Sequence, residues 1–388
     1  MSRWIREISA WVVEVPYLEE WVSSPEFGPH SSGRARTLIR VRDREGSEGW
    51  GESAGDVLEM VEKTTDLIFE MPGPASGSGF LDLWRPGEIY WNRPVSPSPF
   101  RQDPADIRHR LRHPLQALWE AALTDLRARS AGLSVSDFWG GRWREKVAVD
   151  YWAGRVTPER AAVCAERAVS LGFRGIKLKT ALEDPNCERL AAIQDRVGRE
   201  FSVTLDPNGR FYRLDEAWRK IRDMDAIGNL NTLEDPFPRF HLEEFVELRR
   251  RISARVVVHL DPEESFSTVI KSGAAGGLNI DSHRVGGFQW RVLAGAAEAF
   301  NLLIWHGGTG DLGIGTAWQL HLAASAPNCR LPGDQAGPWL RASTIIQQNF
   351  DIQDGAVSVP QGPGIGVDVD FNELDRFCRR TKTWQTNK

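Results

Sequence analysis

At 388 residues the chain exceeds what one hydrophobic core usually supports, so two domains are expected. With 41% hydrophobic and 26% charged residues it has the make-up of a soluble enzyme, and a formal net charge of -5 leaves no basic footprint for nucleic acid. The charged start MSRWIREISAW and the lack of a long apolar run speak against a signal peptide, an anchor or a membrane span. Cys164, Cys187, Cys329 and Cys378 lie far apart without CxxC pairing, which suggests reduced, mostly buried thiols in a cytoplasmic setting.

The first predicted elements are strands. IREISAWVVEV alternates roughly, and RARTLIRVRDREGSEGWGE reads as two strands around a turn at Gly46. Between them LEEWVSSPEFGPHSSG is rich in breakers and reads as a loop. Residues 72–102 show no periodicity and read as irregular. HPLQALWEAALTDLRARSAG carries helical spacing and stops at a glycine.

From about residue 147 short apolar runs alternate with amphipathic helices. VAVDYW, FRGIKLK, FSVTLDPN, NLNTLEDP, ARVVVHLD, GGLNIDSHRVGG, LLIWHGG and CRLPGD make eight expected strands. The helix after the first starts with Thr157 as N-cap and Pro158 at its first position. Eight such units predict a parallel sheet closed into a barrel. The tail from about residue 340 is mixed, with a charged helix and a frayed TKTWQTNK at its end. Sixteen tryptophans are many for this length; most are expected to pack, and some to wall a substrate pocket.

Function in such a barrel sits at the C-terminal ends of the strands. Here the runs end in Lys177 and Lys179, Asp206, Glu234, His259 or Asp261, Asp281 and His306. So many charges on one rim would repel or pair without purpose unless a metal and a substrate neutralise them. Asp206, Glu234 and an acid of the fifth strand offer the oxygen ligands that suit magnesium. Asp235, beside Glu234, is the expected helix cap. Lys177 and Lys179, one residue apart on a strand, share a face, and mutual repulsion would lower the pKa of one. Lys179 is then the expected base and Lys177 its electrostatic partner on a substrate carboxylate. Asp281 and His306 end neighbouring strands, so the carboxylate could orient the imidazole as a second base on the opposite substrate face.

This constellation resembles the enolase superfamily, and within it the mandelate racemase subgroup. The resemblance spans nearly the whole chain: ALWEAALTDLRARSAG, GFRGIKLK, LDPN, LEDPFP, NIDSHRVGG and WHGG occur in the expected order. It implies a modified (β/α)7β TIM-like barrel over residues 141–339. An α+β capping domain would come from residues 1–140, completed by 340–388. It also implies a Mg2+ cofactor held by Asp206 and Glu234, Lys179 as a base, and an Asp281–His306 dyad. Lid residues Trp21, Phe27 and His30, with Asn208 of LDPN, would touch substrate.

Two positions depart from the family pattern. For the third ligand, distance from Glu234 favours His259, whereas donor chemistry slightly favours Asp261. At the eighth strand, where the family often has a Glu, only Asp334 is found.

The implied reaction is α-proton abstraction from a small-molecule carboxylate through an enediolate, helped by a divalent ion and Lys177. Dehydration of an acid sugar to a 2-keto-3-deoxy acid is the preferred outcome, on analogy with the subgroup. Racemisation or epimerisation of a 2-hydroxy acid is the alternative. A homo-oligomer is expected, with neither nucleic acid nor membrane as partner. Two rivals stand further off. Gly308-x-Gly310-x-x-Gly313, with Asp334 about twenty residues on, matches a dinucleotide fingerprint and would mean an oxidoreductase. A non-catalytic relative is the other, suggested by the fifth strand. His109, His113, His241 and His321 lie in or beside helical patterns and are expected to be structural, with His283 packed under a loop.

Overall fold

The structure, a computed structural model, describes residues 4–18, 35–71, 104–260 and 266–386, with only the backbone of 104–114 considered. Fourteen strands occur among these residues. Three come first: β1 (Ile5–Val13), β2 (Arg36–Asp43) and β3 (Glu48–Ala54). The middle of the chain holds β4 (Lys146–Ala148), β5 (Tyr151–Ala153), β6 (Gly175–Lys179), β7 (Ser202–Asp206), β8 (Leu230–Glu234), β9 (Arg255–Leu260), β10 (Gly277–Ile280) and β11 (Ile304–His306). The tail adds β12 (Ile352–Gln353), β13 (Ala356–Ser358) and β14 (Cys378–Gln385).

The first sheet is antiparallel in the order β14-β1-β2-β3. Its β2–β3 turn passes through Gly46 at φ +93°, a conformation that needs no Cβ. The stretch TKTWQ, expected to fray, instead pairs with β1 as part of β14: Trp384 faces Ile8 and Thr381 faces Trp11. Alternation in β1 is incomplete because both faces are covered. Ile8, Ala10 and Val12 belong to one core with Leu118 and Leu126 of the helix Pro104–Ser130, while Trp11 and Val13 belong to the larger core. That helix lies so close to β3 that a Cβ on Gly49 would fall 2.1 Å from the Ala122 carbonyl oxygen.

The second sheet is parallel, in the order β11-β10-β9-β8-β7-β6-β5. Its strands are short apolar runs separated by helices that bury one stripe. In Pro158–Ser170 the buried residues are Ala161, Cys164, Ala165 and Ala168, and Thr157 caps the helix through the Arg160 N–H. The expected VAVDYW strand divides: β4 turns away to pair with β13, and only β5 joins the parallel sheet.

The expected eighth strand, CRLPGD, forms no ladder. It makes two isolated parallel bridges, Cys329 to Ile304 of the edge strand β11 and Gly333 to Val149, two residues before the other edge strand β5. Two prolyl or glycyl positions within six residues explain why: Pro332 has no N–H to give, and Gly333 is hemmed in by Gln335 and the His306 carbonyl. The architecture is therefore α/β and TIM-like, with a curled seven-stranded parallel sheet, the four-stranded antiparallel sheet, and a small antiparallel sheet in the order β12-β13-β4. No helix of the described residues is long and apolar enough to cross a membrane.

Candidate active site

Parallel register brings the strand ends level. Lys179 of β6 lies opposite Asp206 of β7, and Asn279 of β10 opposite His259 of β9. Above them is a cavity of about 600 Å3 whose lining includes Lys177, Lys179, His259, Asn279, Asp281 and Asp334. Asn208 also lines it. The chain leaves β7 and β8 through left-handed residues, Asn208 at φ 48° and Asp235 at φ 42°, residue types that tolerate this conformation. Asp235 caps no helix; it accepts from the His259 N–H at 2.9 Å and so ties β8 to β9.

Lys177 is the centre of the site. Its Nζ lies 2.6 Å from Glu234 Oε2, 3.1 Å from Asp206 Oδ2 and 3.0 Å from Asp334 Oδ2. Burial alone would push this ammonium down, but Asp334, Glu234 and Asp206 hold it well above the ordinary lysine value. The repulsion expected between the two lysines is therefore outweighed at Lys177. Lys179 Nζ meets Asp206 Oδ2 at 2.5 Å. Burial would raise Asp206, yet Lys179 and Lys177 together hold it below the usual carboxylate range. Burial and the neighbouring Asp206 charge push Glu234 up to about 8. Asp334 also accepts from the Gly308 N–H at 2.7 Å, which fixes the unaligned eighth-strand acid beside Lys177.

Asp206 and Glu234 both contact one nitrogen, so their carboxylates converge. Asn279 Nδ2 donates to Glu234 Oε1 at 2.7 Å, and His259 Nδ1 lies 3.5 Å from that oxygen. His259 Nε2 is buried without a hydrogen-bond partner, whereas Glu234 Oε2 holds the Lys177 ammonium. The two converging carboxylates suit a divalent cation, and His259 does not complete a three-donor group with them within 4.8 Å. Asp261, the other candidate ligand, lies outside the described residues, as do Trp21, Phe27 and His30. Among the described residues, His241, Glu243 and the buried Glu244 form a compact donor group that does not line this cavity.

The expected dyad is not formed. His306 is fully buried, stacks on Trp290 with ring centroids 5.2 Å apart, and its Nδ1 meets the Gly307 carbonyl at 2.7 Å. Burial holds this imidazole down at about 3. Asp281 accepts from the His283 N–H at 2.8 Å instead. The cause is strand parity: Trp305 faces the interior, 5.7 Å from Lys177 Nζ, so its neighbour His306 must face the helices. Asp281 does line the cavity, four strands round the sheet from Lys179, and burial raises its carboxyl despite His283 and Arg284.

Several lining residues escaped the sequence reading. Trp152 of β5 lies opposite Lys177, and Asn279 of β10 opposite His259, in the parallel register. Arg36 is different: it belongs to β2 in the other sheet, yet it reaches Glu52 at 2.9 Å, Asp311 and the Thr309 carbonyl at 3.0 Å. No local pattern announces such a contact. Among the other histidines, His283 Nε2 lies 3.1 Å from Asp311 and His321 sits buried against Ser136, both structural placements.

The glycine-rich stretch does not serve a dinucleotide. Glu52 accepts from the N–H groups of Leu312 and Gly315, each at 2.8 Å, and so plugs the helix N-terminus where a pyrophosphate would sit. A Cβ on Gly308 would fall 2.1 Å from the Asp334 carbonyl oxygen, so this glycine serves close packing.

A sequence profile described as enolase C-terminal domain-like matches residues 159–374. Muconate cycloisomerase 1 of Rhodococcus opacus is 30% identical over 286 residues, covering 70% of this chain and 72% of the relative. N-succinylamino acid racemase of Thermus thermophilus is 27% identical over 361 residues, 90% and 91% of the two chains. A crystal structure of a putative sugar isomerase from Streptomyces coelicolor superposes with a TM-score of 0.77 at 25% identity, covering 97% of this chain and 96% of the other. Profile and relatives together place the chain in the enolase superfamily, in its mandelate racemase and muconate lactonizing enzyme branch.

Proposed function

We propose that this chain removes the α-proton of a small-molecule carboxylate with Lys179 and carries the resulting enediolate to a dehydrated product. The carrying observation is the cluster under one cavity: two lysines of a single strand face, three carboxylates around Lys177, and Asp281 across from them. Asp206 and Glu234, with Asp261 or His259 as the third donor, would hold the divalent ion, taken as Mg2+ from the superfamily's habit, and when bound it lowers the cost of the second negative charge on the substrate carboxylate. Lys177, kept as an ammonium, holds a carboxylate oxygen. Lys179, hydrogen-bonded to Asp206 at the cavity wall, would take the proton from Cα.

Racemisation needs a base on each face of the enediolate, and His306 is turned away from the cavity. Asp281 is a carboxyl that burial favours in its protonated form, which suits an acid. It would give its proton to a β-hydroxyl as the Cβ–O bond breaks and water leaves. The enol then tautomerises to a 2-keto-3-deoxy acid. An acid sugar supplies both the α-proton and the β-hydroxyl. The arrangement fits a (β/α)7β barrel, closed by the bridges at Cys329 and Gly333, under an α+β cap built from residues 1–140 and 340–388. A second reading, epimerisation of a 2-substituted carboxylate, draws on the racemase relative that aligns over 90% of the chain; Asp281 would then serve as the opposite-face proton carrier.

Purified protein screened against acid sugars and 2-hydroxy acids, reading keto-acid formation and optical rotation together, separates the two. Keto-acid formation from an acid sugar is expected, and its loss by at least about a thousandfold in Lys179→Ala. Change of rotation without keto acid would select the epimerase, and neither change across the library would remove both.

A further inference from the structure

We propose that His283 is a positioning residue for Asp281: its backbone N–H fixes the carboxyl at the cavity wall, and its imidazole, tied through Asp311 to Arg36 of β2, couples that carboxyl to the antiparallel sheet. The proposal rests on Asp281 as the proton donor of the proposed reaction and deepens it.

Three observations carry it. First, Asp281 does not hold itself. It follows β10 and caps the four-residue helix Ser282–Val285, and its Oδ1 accepts from the His283 N–H at 2.8 Å. A single helical turn fixes many dihedrals for few hydrogen bonds and is unstable alone. The aim of the carboxyl therefore depends on what anchors the His283 side chain. Second, that anchor is polar and comes from elsewhere in the chain. His283 Nε2 lies 3.1 Å from Asp311 Oδ1 and 2.8 Å from Gln319 Nε2, which also donates to Asp311 Oδ2 at 2.7 Å. Third, Asp311 is shared. It also binds the guanidinium of Arg36, which lines the cavity and holds Glu52 at 2.9 Å. Asp281, His283, Asp311, Arg36 and Glu52 are all buried, so these links are little screened by solvent.

Charge balance gives the link a second effect. Asp281, Asp311 and Glu52 outnumber the Arg36 guanidinium, and an imidazolium at His283 restores the balance. Arg284, 3.9 Å from Asp281 Oδ2, is half exposed and acts through water. The titratable and charged groups facing the imidazole are Asp311, Asp281 and Arg36, with His306 beyond them. Burial would lower His283, but Asp311 and Asp281 hold it above the ordinary histidine value. The imidazolium in turn opposes the rise that burial imposes on Asp281. Gln319 Oε1 has no partner, and a half-turn of its amide sets that oxygen against a charged ring. The placement of His283 is structural, yet what it steadies is the group across the cavity from Lys179.

The test reads Asp281 without needing turnover. With 13C at the aspartate carboxyls, the infrared band lost in Asp281→Asn reports its protonation across pH. His283→Gln keeps the backbone N–H and loses the charge, so that band should titrate at higher pH than in the wild type. Histidine 15N NMR of the wild type gives a second reading: the His283 ring should still be charged at about pH 7, where an unperturbed ring is mostly neutral. Asp311→Asn should remove that charge. With an acid sugar that turns over, His283→Gln should slow keto-acid release about tenfold while α-proton exchange continues, a split that a general loss of structure does not give. A neutral His283 ring in the wild type at that pH, an Asp281 band unmoved in folded His283→Gln, or exchange and release falling together would each overturn the inference. A displaced Asp281 band in a protein that turns over no acid sugar would sink the proposed reaction alone and leave the hold of His283 on Asp281 standing.

Discussion

At the scale of single residues, parity decides which polar groups can act. Lys177 and Lys179 share a face, as their spacing in GIKLK indicates, and both reach the cavity. His306 ends its strand just as visibly, but one step out of phase, and is buried behind Trp305. The alternation of Ile304, Trp305 and His306 holds that information; a charge at a strand end says nothing of its direction unless an interior neighbour fixes the phase. His306 therefore belongs to stability. Its folded value of about 3 lies below the ordinary 6.5, so its contribution is fully present above pH 6.5 and is lost as pH falls toward 3. In His306→Phe the acid limb of the melting-temperature profile should flatten, by an amount on the order of 3 kcal/mol at pH 4. An unchanged acid limb in the variant would contradict the buried, neutral imidazole. Keto-acid formation should survive the same substitution.

At the scale of elements, the helix Pro104–Ser130 joins the two sheets. Its Glu120 accepts from the N–H groups of Gly287, at 2.9 Å, and Phe288, at 2.5 Å, which open the helix Gly287–Ala299. Burial pushes Glu120 up to about 8 even though both N–H groups favour its charged form. A carboxyl raised in the folded state contributes stability that is complete below about pH 4.5 and lost as pH rises through 8. Glu120→Gln, which keeps an acceptor without the charge, should therefore gain on the wild type by roughly 3 kcal/mol between pH 5 and pH 8 in chemical unfolding. Equal stability of the two across that range would refute the assignment. The helix itself was legible from its 3.6-residue spacing, and Thr157 as an N-cap from its place before Pro158. Its partner at Gly287 was not, because a capping contact across 167 residues leaves no local trace. The tail strand β14 was missed for a related reason: TKTWQ is mostly polar and has its place only through β1.

At the scale of the molecule, one buried network links the sheets. Arg36 of β2 binds Glu52 of β3 and Asp311 beyond β11, and Asp311 in turn meets His283 and Gln319. Arg36 lines the cavity, and Arg341 donates to the carbonyl of its lining residue Gly310 at 2.8 Å. Removing one member of such a network leaves an unpaired buried charge. Arg36→Met should cost about 3–5 kcal/mol in chemical unfolding, whereas a change below about 1 kcal/mol would show that the network is dispensable. The repeated strand–helix texture made the parallel sheet legible, and the run of polar strand ends made its rim legible. The union of the two sheets was not, since it rests on pairs separated by hundreds of residues.

In the proposed reaction Lys179 takes the α-proton while Asp281, not His306, works across the cavity. Solvent deuterium exchange at Cα of a turned-over acid-sugar carboxylate, followed by NMR in parallel with keto-acid release, tests it most directly. Lys179→Ala should lose exchange and release together; Asp281→Asn should lose release by about a hundredfold or more while exchange continues; His306→Phe should keep both. Exchange persisting in Lys179→Ala, or both signals vanishing in a folded His306→Phe, would contradict the account.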